Sequence, residues 1–266
     1  MRILFIGDIF GEAGRNMVKD FLPKLKTQYS PDVVIANAEN MAGGNGMTPK
    51  TYLEIVQAGV DIVTGGNHSF DKKEGHVILD EEPFVTRPAN YPKELPGKGY
   101  ILYPTKDGRT LGVLNIQGRT FMEPLDCPFR MSEELVQEIR QKTPLIFVDF
   151  HAEATSEKIA MAWHLDGKVS CIVGTHTHVQ TSDERILPKG TAAITDTGMT
   201  GPHDSVIGVQ KQVIIERYLY RKHQKFEAAE HDPQLCGVIV DIDDETGKAL
   251  KIERLRVFRF EDKKEQ

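Results

Sequence analysis

Five polar clusters, each set at the end of an apolar run of strand length, constrain this sequence more than any other feature. Gly7-Asp8 follows Arg2–Ile6, Asn37-Ala38-Glu39-Asn40 ends the run Asp32–Asn37, and Gly65-Gly66-Asn67-His68 follows Asp61–Thr64. His151 follows Leu145–Phe150, and Gly174-Thr175-His176-Thr177-His178 closes the run that begins at Cys171. These runs, with Leu111–Ile116 and Ala192–Thr195, are rich in Val, Ile and Leu, as strands covered on both faces are. Between them Asn16–Leu25, Thr51–Ala58, Ser132–Lys142, Ser156–His164 and Gln212–Arg221 read as helices, with Ser132 as an N-cap followed by first-turn acids. Strands alternating with helices predict a layered α/β fold. In such folds the carboxyl ends of the strands form one rim where ligands bind, so clusters far apart in the chain should meet there.

The rest of the chain adds little chemistry. Pro83–Pro104 reads as a long surface excursion with a short strand near Tyr100–Tyr103. Cys236–Ile242 and Lys251–Phe260, on either side of the turn-like Asp243–Gly247, predict a β-hairpin. No repeat, linker or low-complexity stretch divides the 266 residues, so a single domain is expected, with a frayed charged tail over 260–266. Lys and Arg number 33 against 39 Asp and Glu, a net charge of −6 that argues against a stable nucleic-acid partner. No apolar run approaches the ~20 residues of a membrane span. Met1–Asp8 meets an acid too soon for a signal peptide. The three cysteines, Cys127, Cys171 and Cys236, form no CxxC pair, which disfavours a disulfide framework or thiolate zinc and suits a reducing cytoplasm. Cys171 and Cys236 read as buried, inert thiols. Gln212–Arg221 suits either a solvated face or a contact between copies in a homo-oligomer.

Residue types sharpen the picture. Asp8, Glu39, Asn67, His151, His176 and His178 offer carboxylate, amide and imidazole donors, which suit Zn, Mn or Fe. They exceed what one tetrahedral ion needs and match two metals sharing a bridging carboxylate. Taken singly, each has a plainer explanation: His151 as a hydrogen-bonded core residue, Asp8 as the cap of the next helix, Asn40 and Asn45 as turn residues near Gly43-Gly44. Neither a dinucleotide GxGxxG, a GxxxxGK[ST] phosphate loop nor a GxSxG elbow is present. His76, His164, His223 and His231 lack ligand-like neighbours. His203 and the segment Asp196–Pro202 border the same rim on the substrate side or pack elsewhere.

Taken in order, Gly-Asp, Asn-Ala-Glu-Asn, Gly-Asn-His, a lone post-strand His and Gly-Thr-His-Thr-His resemble the calcineurin-like metallophosphoesterases, whose usual pattern is DxH, GDxxD, GNH[DE], H, GHxH. Gly7–Gly11, Asn37–Asn40, Gly66–Asp71 and Asp196–Pro202 are similar to the YmdB-type branch. Phe10 stands where DxH has a histidine, and Glu39 stands for the bridging Asp. The resemblance implies a metallophosphoesterase sandwich of β-sheets flanked by helices. It also implies hydrolysis of cyclic nucleotides, 2′,3′-cyclic ones in particular, at a dinuclear iron-type centre, with manganese or zinc suiting the same donors. Carried over, Asp8, Glu39, Asn40 and His178 hold the first metal. Glu39, Asn67, His151 and His176 hold the second, with Glu39 bridging. His68 faces the substrate as general acid, opposite a hydroxide shared by the metals. A phosphomonoesterase or nuclease-type enzyme, and a nucleotide sensor without turnover, are the competing expectations.

Overall fold

Side-chain alternation in the first strand sets the layering. In β1 (Arg2–Ile6), Ile3 and Phe5 point one way, Leu4 and Ile6 the other, and all four are buried. Ile3 and Phe5 share a core with Val33, Ile35, Val113, Phe147 and Val173, whereas Leu4 and Ile6 pack with Met17, Leu22, Val34 and Ile55. The strand is therefore covered on both faces.

The computed structural model describes residues 1–222 and 224–259; the expected tail and His223 lie outside the described residues. Two six-stranded sheets face each other. The first sheet runs β10 (Gly201–Pro202), β11 (Pro233–Ile242), β1, β2 (Val33–Asn37), β3 (Ile62–Thr64), with β12 (Ala249–Phe258) on β11. The second runs β4 (Tyr100–Pro104), β5 (Thr110–Gln117), β6 (Ile146–His151), β7 (Cys171–Thr175), β9 (Ala192–Ile194), β8 (Arg185–Ile186). Helices α1 (Gly11–Tyr29), α2 (Pro49–Ala58) and α3 (Lys73–Glu81) cover the outer face of the first sheet. Helices α4 (Pro128–Arg140) and α5 (Thr155–Leu165) cover that of the second. Between the sheets Phe5 and Phe147 meet with ring centroids 5.2 Å apart. Strands β1, β2 and β3 are parallel, as are β5, β6, β7 and β9, so their carboxyl ends gather at one edge of the sandwich.

The layered α/β expectation, the seven early strands and the C-terminal hairpin are all present, within a few residues of the expected bounds. Four local expectations need correction. Helix α1 begins at Gly11, not Asn16, because Gly11 and Gly14 are buried where the helix approaches the chain closely. A Cβ on Gly14 would lie 2.2 Å from the Thr200 carbonyl. Helix α4 begins at Pro128 with Cys127 as its N-cap, so Ser132 lies inside it and its hydroxyl donates to the Phe129 carbonyl at 3.1 Å. Proline suits that first-turn position because its missing N–H is not needed there. Helix α3 has no counterpart among the expected elements, its charged Lys73–Glu81 sequence burying only Gly75, Ile78 and Leu79. Finally, Pro83–Pro104 is not a surface excursion throughout. Val85, Thr86 and Arg87 are buried, and Thr86 N–H donates to the Val63 carbonyl at 2.9 Å, extending the edge of the first sheet. Among the described residues no helix is long and apolar enough to cross a membrane.

Candidate metal centre and substrate cleft

The post-strand clusters meet at the gathered carboxyl ends. From β2, Glu39 turns its carboxylate between two neighbours: its Oε1 lies 2.9 Å from Asn40 Nδ2 and 3.3 Å from His151 Nε2. Asn40 Nδ2 is in turn 3.2 Å from His178 Nε2, which lies 3.8 Å from Asp8 Oδ1. On the other side His151 Nε2 is 2.8 Å from Asn67 Oδ1 and 3.1 Å from His176 Nδ1. The His176 N–H points at Asp8 Oδ2, 3.4 Å away. The His68 N–H donates to Glu39 Oε2 at 3.0 Å. Thus Asp8, Glu39, Asn40, Asn67, His68, His151, His176 and His178 form one connected cluster, with Glu39 at its middle. Asp8 caps no helix, since the N-cap of α1 is Phe10.

Glycine makes the approach possible at one point. A Cβ on Gly66 would lie 2.3 Å from Glu39 Oε2 and 2.5 Å from His151 Cε1, so any side chain there would fill the space between the Glu39 carboxylate and the His151 imidazole.

Partners behind the cluster fix which nitrogen each histidine offers. Asp149, buried at the centre of β6, accepts from Thr64 Oγ1 at 2.5 Å, Asn37 Nδ2 at 2.9 Å and Thr175 Oγ1 at 2.7 Å. The Thr175 hydroxyl spends its single proton on Asp149, so at 2.9 Å it accepts from His151 Nδ1–H and turns Nε2 towards Glu39 and Asn67. His178 donates Nδ1–H to the Ile207 carbonyl at 2.9 Å, leaving Nε2 bare. His176 is reversed: its Nε2 meets Glu153 Oε2 at 3.1 Å, and Nδ1 faces His151. His176 and His178 both adopt positive φ, 96° and 65°. Between them Thr177 is anchored, its N–H (3.2 Å) and hydroxyl (2.6 Å) both donating to Asp196 Oδ2. Lys158 Nζ, buried, donates to the same oxygen at 2.7 Å and neutralises it. Asp71, three residues beyond His68, holds the His68 Nδ1 at 2.7 Å and so aims Nε2 outward.

Electrostatics favour a cation here. Burial pushes the Asp8 carboxyl well above the ordinary range, and its Oδ1 has no hydrogen-bond partner among the described residues. Burial opposes charge on both Glu39 and His151, but each stabilises the other: the His151 ring and the N–H of His68 hold the Glu39 carboxyl below its usual value, while Glu39 and Asp8 hold His151 above its own, in the place a cation would take. Burial lowers His176 to about 3 and also lowers His178, which keeps both neutral, the state in which imidazole binds a metal. Glu39, His151 and His176 each place one ligating atom within 4.8 Å of the others. A metal ion would satisfy the orphaned Asp8 oxygen and take the place of the His151 Nε2 proton beside the free nitrogens of His176 and His178, so the donor set fits the group the sequence implies.

Beside the cluster opens a cleft of about 440 Å³, with Glu39, Asn40, His68, His176 and His178 at one end and Phe10, Ile207 and Phe226 along a wall. Phe10 packs edge-on against His178, with ring centroids 5.7 Å apart. His203 does not face this cleft: its Nε2 meets the Met199 carbonyl at 3.1 Å and approaches Cys236 Sγ at 3.9 Å. His76 turns to the Phe70 carbonyl and His164 to Glu133, both away from the cluster. Sequence reasoning missed Asp71, Asp149, Glu153, Lys158 and Thr175. An aspartate inside the apolar run Leu145–Phe150 was a usable signal, because a buried carboxylate needs donors.

Residues 4–255 match the model of a family described as YmdB-like protein. Over 257 residues, 97% of each chain, the sequence is 54% identical to a 2′,3′-cyclic-nucleotide 2′-phosphodiesterase from Bacillus subtilis (strain 168). The fold is similar to that of a hypothetical protein from Thermus thermophilus, with TM-score 0.91 and 42% identity, covering 97% of this chain and 99% of that one. It is equally similar to a phosphatase from Mycoplasma pneumoniae, with TM-score 0.91 and 36% identity, covering 97% of this chain and 93% of that one.

Proposed function

This chain belongs to the YmdB-like family, and on that premise we propose that it is a metal-dependent phosphoric diester hydrolase acting on 2′,3′-cyclic nucleotides. The connected cluster of carboxylates, amides and imidazoles at the head of a cleft of about 440 Å³ carries this function. Asp8, Glu39 and His178 would hold one cation, joined by Asn40 through Oδ1 once its amide, which turns Nδ2 to Glu39 and His178, is reversed; Glu39, Asn67, His151 and His176 would hold a second, with Glu39 common to both. Iron is the ion proposed, manganese or zinc suiting the same donors. When bound, such a pair lowers the pKa of water and offsets phosphate charge.

The chain's own residues do the rest. Thr175, Ile207 and Glu153 keep the three ring nitrogens turned inward. His68, held at Nδ1 by Asp71, presents Nε2 to the cleft and delivers a proton to the departing sugar oxygen.

Elemental analysis of the purified protein, with turnover measured on 2′,3′-cyclic AMP, 3′,5′-cyclic AMP and 3′-AMP, tests the proposal. A bound transition metal and preferential opening of the 2′,3′-cyclic ring are expected. Faster release of phosphate from 3′-AMP would make the enzyme a phosphomonoesterase. Metal-dependent nucleotide binding without product under saturating iron or manganese would make it a sensor.

A further inference from the structure

Resting on the phosphodiesterase function above, we propose that Phe226 and Ile207 form the slot that holds the nucleobase. If the phosphate sits at the cluster end, a nucleotide must run its ribose and base along the cleft. The wall it meets there is apolar and aromatic. Phe10 and Val209 on that wall are buried and serve as its floor, but Ile207 is 53% exposed and Phe226 47% exposed. Two large apolar side chains left open beside a polar cluster suit a flat ligand that is wet only when the cleft is empty.

Each of the two residues carries a separate mark of this role. Ile207 has φ of 47°, a left-handed conformation that is a genuine outlier for a β-branched side chain. That strain is held in place because the same residue's carbonyl accepts His178 Nδ1–H at 2.9 Å. One backbone turn therefore aims His178 and sets the Ile207 side chain on the cleft wall. The Phe226 ring is braced by Arg217, whose guanidinium carbon lies 4.9 Å from the ring centroid, while the ring also lines the cleft. A braced ring loses little freedom on stacking. Every base has a π-face, so such a platform tolerates different bases and separates nucleotides from diesters that lack a base.

The test compares kcat/KM on 2′,3′-cyclic AMP with that on the 2′,3′-cyclic phosphate of a methyl riboside, which has the same ring but no base. Stacking on an aromatic residue corresponds to roughly a five- to 150-fold change in affinity. Phe226→Ala is therefore expected to lower the nucleotide-to-riboside ratio by about that factor, through KM rather than kcat, and Phe226→Tyr to restore it. An unchanged ratio in Phe226→Ala overturns the slot while leaving the phosphodiesterase function standing. So does an equal loss on both substrates. Wild-type protein that turns over neither cyclic substrate overturns the phosphodiesterase function and the slot with it.

Discussion

Replacing Thr175 by valine isolates the contact that sets the histidine tautomer. The side chain is fully buried, and valine keeps its shape while deleting the hydroxyl. Two bonds go with it: the 2.7 Å donation to Asp149 and the 2.9 Å acceptance from His151 Nδ1–H. A buried donor left without a partner costs ~1–3 kcal/mol, and a hydrogen bond to a charged group contributes ~1.5–3 kcal/mol. The two effects share one hydroxyl, so metal-stripped Thr175→Val should lose ~2–5 kcal/mol of stability. Freed from Thr175, His151 is no longer held with Nε2 turned to the cluster. Removing such a support typically weakens metal binding by ~10–100-fold. Urea unfolding followed by circular dichroism, on protein stripped with a chelator, measures the first quantity. Competition with a chromogenic chelator measures the second. Thr175→Ser should recover most of both, because it returns the hydroxyl. Wild-type metal affinity in Thr175→Val, at any stability, would refute the tautomer relay.

Four further outcomes are expected. Gly66→Ala forces a methyl to within 2.3 Å of Glu39 Oε2, so purified protein should carry much less metal and unfold ~1–3 kcal/mol more easily; full metal content by elemental analysis would contradict the close approach. His68→Ala should slow turnover by ~10²–10⁴-fold with metal content intact, and Asp71→Asn should slow it less, both read from kcat beside elemental analysis. Chelation should lower the melting temperature measured by calorimetry, since ions that bind only the folded state stabilise it by mass action, ~2.7 kcal/mol at a hundred times Kd. Burial opposes the charge of Asp183, but hydrogen bonds from Thr181 and Thr195 outweigh it and hold its pKa below 3.8. A carboxyl depressed in the folded state adds stability above its unfolded pKa and loses it as pH falls through the folded value. The stability gap between wild type and Asp183→Asn should thus be flat near neutrality and shrink below about pH 4, as urea titrations at several pH values would reveal.

The layers were legible because burial on both faces writes runs dominated by Val, Ile, Leu and Phe into β1, β2, β6 and β7. Helix ends were less so. The start of α1 hides in glycines whose helical role depends on Thr200, far away in the chain, and α3 buries too few side chains to show a period. Likewise Pro83–Pro104 looks like a loop by composition, yet Val85 and Thr86 lie against Val63, a pairing that local sequence does not encode.

From the sequence alone came the fold class, the rim on which the chemistry lies and the residues that meet there, since strand order and donor type are properties of the chain. Only the tertiary structure decided how those residues are held. The tautomer of His151 depends on Thr175 and Asp149, the direction of His68 on Asp71, and the turn of His176-Thr177-His178 on Asp196 and Lys158. A hydrogen bond is satisfied by whatever group the packing brings within about 3 Å, and packing is a property of the whole molecule.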